Sequence, residues 1–182
     1  MSGRETVAGD RVVAGGLGGQ GGFEVGASLI SMGQILAERR VLPDLAAGDR
    51  DEAMARLAAV LATDLEGVTP GEILAVLLAR EAVGSTGVGR GVAIPHAKLA
   101  AVTSPIAAFG RSPAGVDFQA LDGAPVHLIM VLLSPVASRV QHVETLVAIS
   151  RKLRPVVTQR RLMAAEDQAG LFRLMVETGG EA

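Results

Sequence analysis

The stretch Val126-His127-Leu128-Ile129-Met130-Val131-Leu132-Leu133 decides the fold, and Pro135 closes it. Side chains of a strand alternate between its two faces, and after the opening histidine both faces here are apolar. Such a strand needs cover on both sides of its sheet, which helices supply in α/β proteins. The apolar run Leu128–Leu133 falls far short of the roughly 18 residues that mark a membrane-spanning helix. It reads as a central strand, and direct membrane insertion is not expected.

Helical and extended segments alternate on either side of this strand, which predicts a layered α/β domain. Downstream, Val140, Val143, Leu146, Val147 and Ser150 recur at helical spacing, in a helix running to about Leu153. One or two further helices follow, over 158–164 and 167–177. Upstream, Asp122-Gly123 is a turn signal inside a connection from Gly115 to Ala124, and Ile106–Phe109 predicts a strand. Two capping boxes precede these, Asp49 with Glu52 and Thr69 with Glu72, the second with Pro70 at the first helical position. The first helix shows Ala53, Met54, Leu57, Val60 and Leu61 on one face; the second shows Ile73, Leu74, Leu77 and Leu78 and ends before Gly84. Ser28–Leu36 reads as a short helix or turn, and Val41-Leu42 as extended before Pro43.

Residues 1–26 are polar and dense in glycine, culminating in Gly15-Gly16-Leu17-Gly18-Gly19-Gln20-Gly21-Gly22. They bury too little apolar surface to offset the entropy of ordering, so a flexible tail is expected there and one domain over 27–182. Charges at Arg4, Glu5, Asp10 and Arg11 interrupt any apolar signal-peptide region. The absence of cysteine excludes disulfides, thiolate zinc sites and thiol catalysis, and fits the cytoplasm. With a net charge of −2, four Phe and no Trp or Tyr, nucleic acid is not expected as a partner.

The chemistry concentrates in Gly84-Ser85-Thr86-Gly87-Val88-Gly89-Arg90-Gly91-Val92-Ala93-Ile94-Pro95-His96. Glycines allow close backbone approach and several N–H groups aimed at one anion. Val92–Ile94 reads as a short buried strand stopped by Pro95, which puts His96 at a strand end with a loop after it. The glycines carry no Lys-Ser/Thr of a nucleotide P-loop and no G-x-G-x-x-G dinucleotide spacing. Taken without His96 they are most simply a tight helix-to-strand connection.

The chain has three histidines, and His127, opening a strand, reads as a surface or satisfied core residue. His142 lies on the predicted helix beside Val143 and Leu146, with its ring toward the sheet end. Neither H-E-x-x-H nor G-x-S-x-G is present, so zinc hydrolase and serine hydrolase chemistry lack their motifs. Arg151, Lys152 and Arg154 read as a solvated face. What uses most of these parts is nucleophilic histidine chemistry on phosphorus. Imidazole titrates near pH ~6.5, so His96 is largely neutral and nucleophilic at cellular pH. The resulting phosphohistidine carries close to two negative charges. Arg80, on the last turn of the preceding helix, His142, the Ser85 and Thr86 hydroxyls and loop amides at Gly87 and Gly89 are candidate donors to it. With those donors no metal or cofactor is demanded.

In the order and spacing of these residues, over about 28–177, the chain resembles the type 2 enzyme IIA domains of the bacterial phosphoenolpyruvate-dependent phosphotransferase system, the fructose, mannitol and nitrogen-regulatory group. The resemblance rests on Arg80-Glu81, on Gly84-Ser85-Thr86-Gly87-Val88-Gly89 and on Gly91-Val92-Ala93-Ile94-Pro95-His96. It continues through Asp122-Gly123-Ala124-Pro125-Val126, the apolar strand ending at Pro135, and His142 with Leu146 and Leu153. It implies a mixed β-sheet flanked by helices on both faces, in three layers. It also implies that His96 receives a phosphoryl group from the carrier protein HPr and passes it to a IIB domain. His142 matches the supporting histidine and Arg80 the active-site arginine. Two departures stand out: Ala97 follows the histidine where the family often has glycine, and the glycine-rich tail has no counterpart. Two roles remain open, a transfer domain for sugar uptake and a nitrogen-type regulatory protein whose phosphorylation controls binding to target proteins. With no IIB or IIC segment in this chain, the expectation leans toward the second.

Overall fold

In a computed structural model of the protein the described residues are 30–177; the glycine-dense segment lies outside them. At the centre is β6, Val126–Ser134, with every position but His127 buried. The other strands are β1 Leu36–Leu42, β2 Gly87–Gly89, β3 Val92–Ala93, β4 His96–Lys98 and β5 Ile106–Val116. They form one mixed sheet in the order β1-β5-β6-β3-β2, with β4 also paired to β6. β5 runs antiparallel to β6, while β3 and β4 run parallel to it.

Alternation along β6 divides the interior into two cores. Ile129, Val131 and Leu133 face α2 (Arg50–Ala62) and α3 (Pro70–Glu81), packing with Met54, Leu57, Leu61, Ile73 and Leu77. Leu128, Met130 and Leu132 face the other side, with Ile149, Leu153, Leu162 and Leu171. Those residues belong to α4 (Arg139–Leu153), α5 (Val156–Ala164) and α6 (Gln168–Val176), and the single turn α1 (Met32–Ile35) joins the same layer. Each fully buried aliphatic contributes about 1.5–3 kcal/mol, so the apolar run is what makes a three-layer arrangement stable. This is the α/β fold, a mixed sheet with helices on both faces.

Several elements differ from the sequence expectation. β1 is a full strand from Leu36, where a helix or turn was expected to reach that residue. It is an edge strand, and its half-exposed and exposed Ala37, Glu38 and Arg39 dilute the apolar signal. β5 extends to Val116, past Pro113, with an irregular register between Arg111 and Val116. Thr69 and Glu72 make a complete capping box. Asp49 accepts from the Glu52 amide, but the Glu52 carboxylate takes the Gly48 N–H instead of closing the box. The Val140, Val143, Val147 row is the exposed face of α4; its buried residues are Thr145, Ile149 and Leu153.

The difference that matters for function lies at Pro95. Val92 pairs with Leu128 and Ala93 with Ile129, and beyond the proline His96 pairs with Leu132 and Lys98 with Ser134. The register with β6 stays in step, so β3 and β4 are one line of chain and Pro95 interrupts it without ending it. Pro95 turns its carbonyl toward β6, where it accepts from the Leu132 N–H at 2.9 Å, so the pairing survives the one donor that proline lacks. His96 therefore opens a strand; no loop follows it directly.

Candidate functional site

Three elements deliver side chains to the outer edge of β4. The last turn of α3 packs against this strand and brings Arg80. β4 itself brings His96, and the first turn of α4 brings His142. The Arg80 Nε–H donates to His96 Nε2 at 3.3 Å, and Arg80 Nη1 donates to the Gly84 carbonyl at 3.0 Å. On the other side of the ring, His96 Nδ1 lies 2.8 Å from the Ile94 carbonyl. A carbonyl can only accept, so Nδ1 carries the proton and Nε2 presents its lone pair. The His96 and His142 ring centroids are 5.4 Å apart, tilted by 50°. His142 Nδ1 is held 2.9 Å from the Ser134 hydroxyl, which sits in the last, fully buried position of β6.

Burial, the largest influence, pushes the His96 imidazolium below its ordinary value, and the Arg80 cation acts the same way; the Ile94 carbonyl and Glu81 oppose it. His142 is also lowered, by burial first and then by His96, Lys98 and Arg80. Both rings are thus favoured as neutral imidazoles. A neutral, half-buried imidazole with its free nitrogen beside a guanidinium can attack an electrophile and have the transferred anion neutralised in place.

The glycine segment is built differently from a free anion cradle. Glu81 turns inward, only 4% exposed, and accepts from the Thr86 amide at 3.0 and 3.1 Å and from the Thr86 hydroxyl at 2.6 Å. Ser85 Oγ donates to the Phe118 carbonyl and accepts from the Gly87 amide. A Cβ on Gly87 would fall 2.9 Å from the Cα of Ala120, so glycine is required there by close packing. Gly89, the last residue of β2, lies against the Asp122 carboxylate at the start of the hairpin turn to β3. The structure therefore gathers Arg80, His96 and His142, while Ser85, Thr86 and Gly87 hold the loop that positions them.

Three residues at this site were given no role from sequence. Glu81 anchors Thr86, and Ser134 orients His142. Lys98 shares the His96 face of β4, two positions on, a placement that becomes readable only once a strand is recognised after Pro95. His127 is satisfied by the Ser112 carbonyl at 2.9 Å, as a core histidine would be. On α4, the helix that carries His142, Val140, Val143 and Val147 are exposed, at 70%, 58% and 41%. Among the described residues no helix is long and apolar enough to cross a membrane.

The chain is 38% identical over 149 residues to a nitrogen regulatory protein of Pseudomonas aeruginosa, spanning 82% of this chain and 97% of that one. The fold matches the crystal structure of nitrogen regulatory protein IIA-Ntr from Neisseria meningitidis with a TM-score of 0.75 and 30% identity, covering 79% of this chain and 98% of that one. It also matches the mannitol enzyme IIA of Escherichia coli in its complex with phosphorylated mannitol enzyme IIB, with a TM-score of 0.65. That match has 19% identity, covers 77% of this chain and 96% of that one, and is a likeness of fold. Residues 34–177 match the family described as phosphoenolpyruvate-dependent sugar phosphotransferase system, EIIA 2. The chain belongs to that phosphotransferase-system EIIA type 2 family.

Proposed function

We propose that this protein is a phosphocarrier in which His96 Nε2 takes a phosphoryl group from the phosphohistidine of an HPr-type protein. The observation that carries this reading is the Arg80 Nε–H directed at His96 Nε2, 3.3 Å away, with Nδ1 tied to Ile94. The lone pair of Nε2 forms the new N–P bond as the N–P bond of the donor histidine breaks, and the electron pair of that bond returns to the donor ring. The proton stays on Nδ1, donated to the Ile94 carbonyl. Arg80 and the neutral His142 ring meet the phosphoryl oxygens, by charge-assisted and ordinary hydrogen bonds. No metal or cofactor enters the step. The exposed valines of α4 form the apolar surface on which the carrier docks. The acceptor is then a IIB domain, reversing the same step, and the setting is the cytoplasm.

A second reading shares this chemistry and differs in output: phosphorylation of His96 switches binding to regulatory target proteins. The relatives named as nitrogen regulatory proteins, matched over nearly their full length, favour it.

The test is to incubate the protein with phosphoenolpyruvate, enzyme I and HPr and measure its intact mass. An acid-labile gain of one phosphoryl group in wild type, absent in His96→Ala, is expected. Equal labelling of the two proteins, or none of wild type, sinks the reading. Onward transfer to a IIB domain separates uptake from regulation.

A further inference from the structure

Away from the histidines, a cavity of about 280 Å³ opens between the β2–β3 hairpin and the C-terminal part of α4. Its walls include Val88, Arg90, Val92, Ser150, Arg154 and Gln159. It lies about two helical turns beyond His142 along α4. Arg90 and Arg154, from different elements, both line it, and no acidic residue does. Among the described residues neither Arg90 nor Arg154 has an ion-pair partner or a side-chain hydrogen bond. The Gln159 amide is fixed at the wall by donating to the Leu153 carbonyl at 2.8 Å.

The backbone at Arg90 is the second, independent sign. Its φ is +55°, in the left-handed region that non-glycine residues rarely adopt, between Gly89 at +83° and Gly91 at +75°. The Asp122 carboxylate holds it there by accepting the Arg90 N–H at 2.7 Å. Glycine would take this turn position with less strain, so an arginine kept there places a guanidinium at a local conformational cost.

We propose that this cavity is a second anion site, separate from His96, that binds a small phosphomonoester. Two guanidinium groups match the doubly charged phosphate, with their N–H forks suited to paired oxygens. The Ser150 hydroxyl adds a further donor. Val88 and Val92 receive the short organic group, and the volume exceeds what phosphate alone would fill.

Phenyl phosphate is the probe, with phenol as the uncharged control, titrated into the isotope-labelled full-length protein and followed by amide NMR. Saturable shifts at Arg90, Ser150 and Arg154 with phenyl phosphate, and none with phenol, are expected. Arg90→Gly and Arg154→Gln should each weaken binding about tenfold, the loss of one charge-assisted contact. Arg90→Gly suits the turn, so its melting temperature should hold or rise. Inorganic phosphate should bind at the same amides more weakly. Shifts confined to Arg80, His96 and His142, binding by either variant as tight as by wild type, or an equal response to phenol would each overturn the proposal.

Discussion

Arg80 donates through Nε, not through the end of its guanidinium fork, to Nε2 of His96 at 3.3 Å, while its Nη1 is spent on the Gly84 carbonyl. The side chain is thereby fixed at two points, and the one donor facing the nucleophilic nitrogen is one that lysine lacks. Arg80→Ala and Arg80→Lys should both lower phosphoryl acceptance, by about 10- to 100-fold for alanine, comparable to loss of one preorganised charge-stabilising donor. Because Arg80 is half-buried and outside both cores, melting temperature should change little. Single-turnover labelling alongside thermal melts checks both halves of this.

The two imidazoles set the pH behaviour. Both titrate below the ordinary value of 6.5, chiefly because burial penalises the charged ring. Between the lowered folded values and 6.5 the unfolded chain binds more protons than the folded one, so stability rises with pH across that window. Their contribution is complete above about pH 6.5 and is lost as pH falls through the folded values. Acceptance should accordingly stay flat down to about pH 6.5 and decline only below it. Arg80→Ala should move the His96 midpoint upward, since it removes a lowering influence. NMR titration of the imidazole C–H signals reads this directly; a His96 midpoint above 6.5 in wild type would contradict it.

Glu81 makes a different prediction, because its role is to hold the loop. Glu81→Ala leaves the buried Thr86 N–H and hydroxyl without their acceptor, at a cost of about 1–3 kcal/mol. Chemical denaturation should show that loss. Glu81→Gln keeps one amide oxygen as acceptor and should lose less.

Val143 tests the surface. At 58% exposure, Val143→Glu should leave stability within about 0.5 kcal/mol of wild type. The same change puts a charge into the apolar docking face and should raise the KM for the phosphorylated carrier about tenfold, with labelling at saturating carrier preserved. An unchanged KM would place docking elsewhere.

How much of this was legible in the chain depended on whether a residue's partners were close in sequence. The apolar run of β6 declared a doubly covered strand, and Thr69 with Glu72 declared a helix start three residues apart. Pro95 misled, since a proline removes only one donor from a ladder, and the Leu132 N–H that bonds its carbonyl is visible only in the assembled sheet. The α4 valines marked a helix without marking its buried side. An apolar row at helical spacing marks a face without saying which way it points, and Thr145, Ile149 and Leu153 supply the buried one. Arg80, His96 and His142 could be picked out by residue type. The roles of Glu81, Ser134 and Lys98 could not be read, because they come from an inward turn, a strand end and a strand continuing past a proline.

The central claim is that Nε2 of His96 is the nitrogen that bears the phosphoryl group. Phosphorus–nitrogen coupling in the phosphorylated protein, made with nitrogen-labelled histidine, measures this most directly. Coupling to Nε2 of His96, with Nδ1 still protonated against Ile94, is the predicted result. Coupling to Nδ1 of His96, or to either nitrogen of His142, would contradict it.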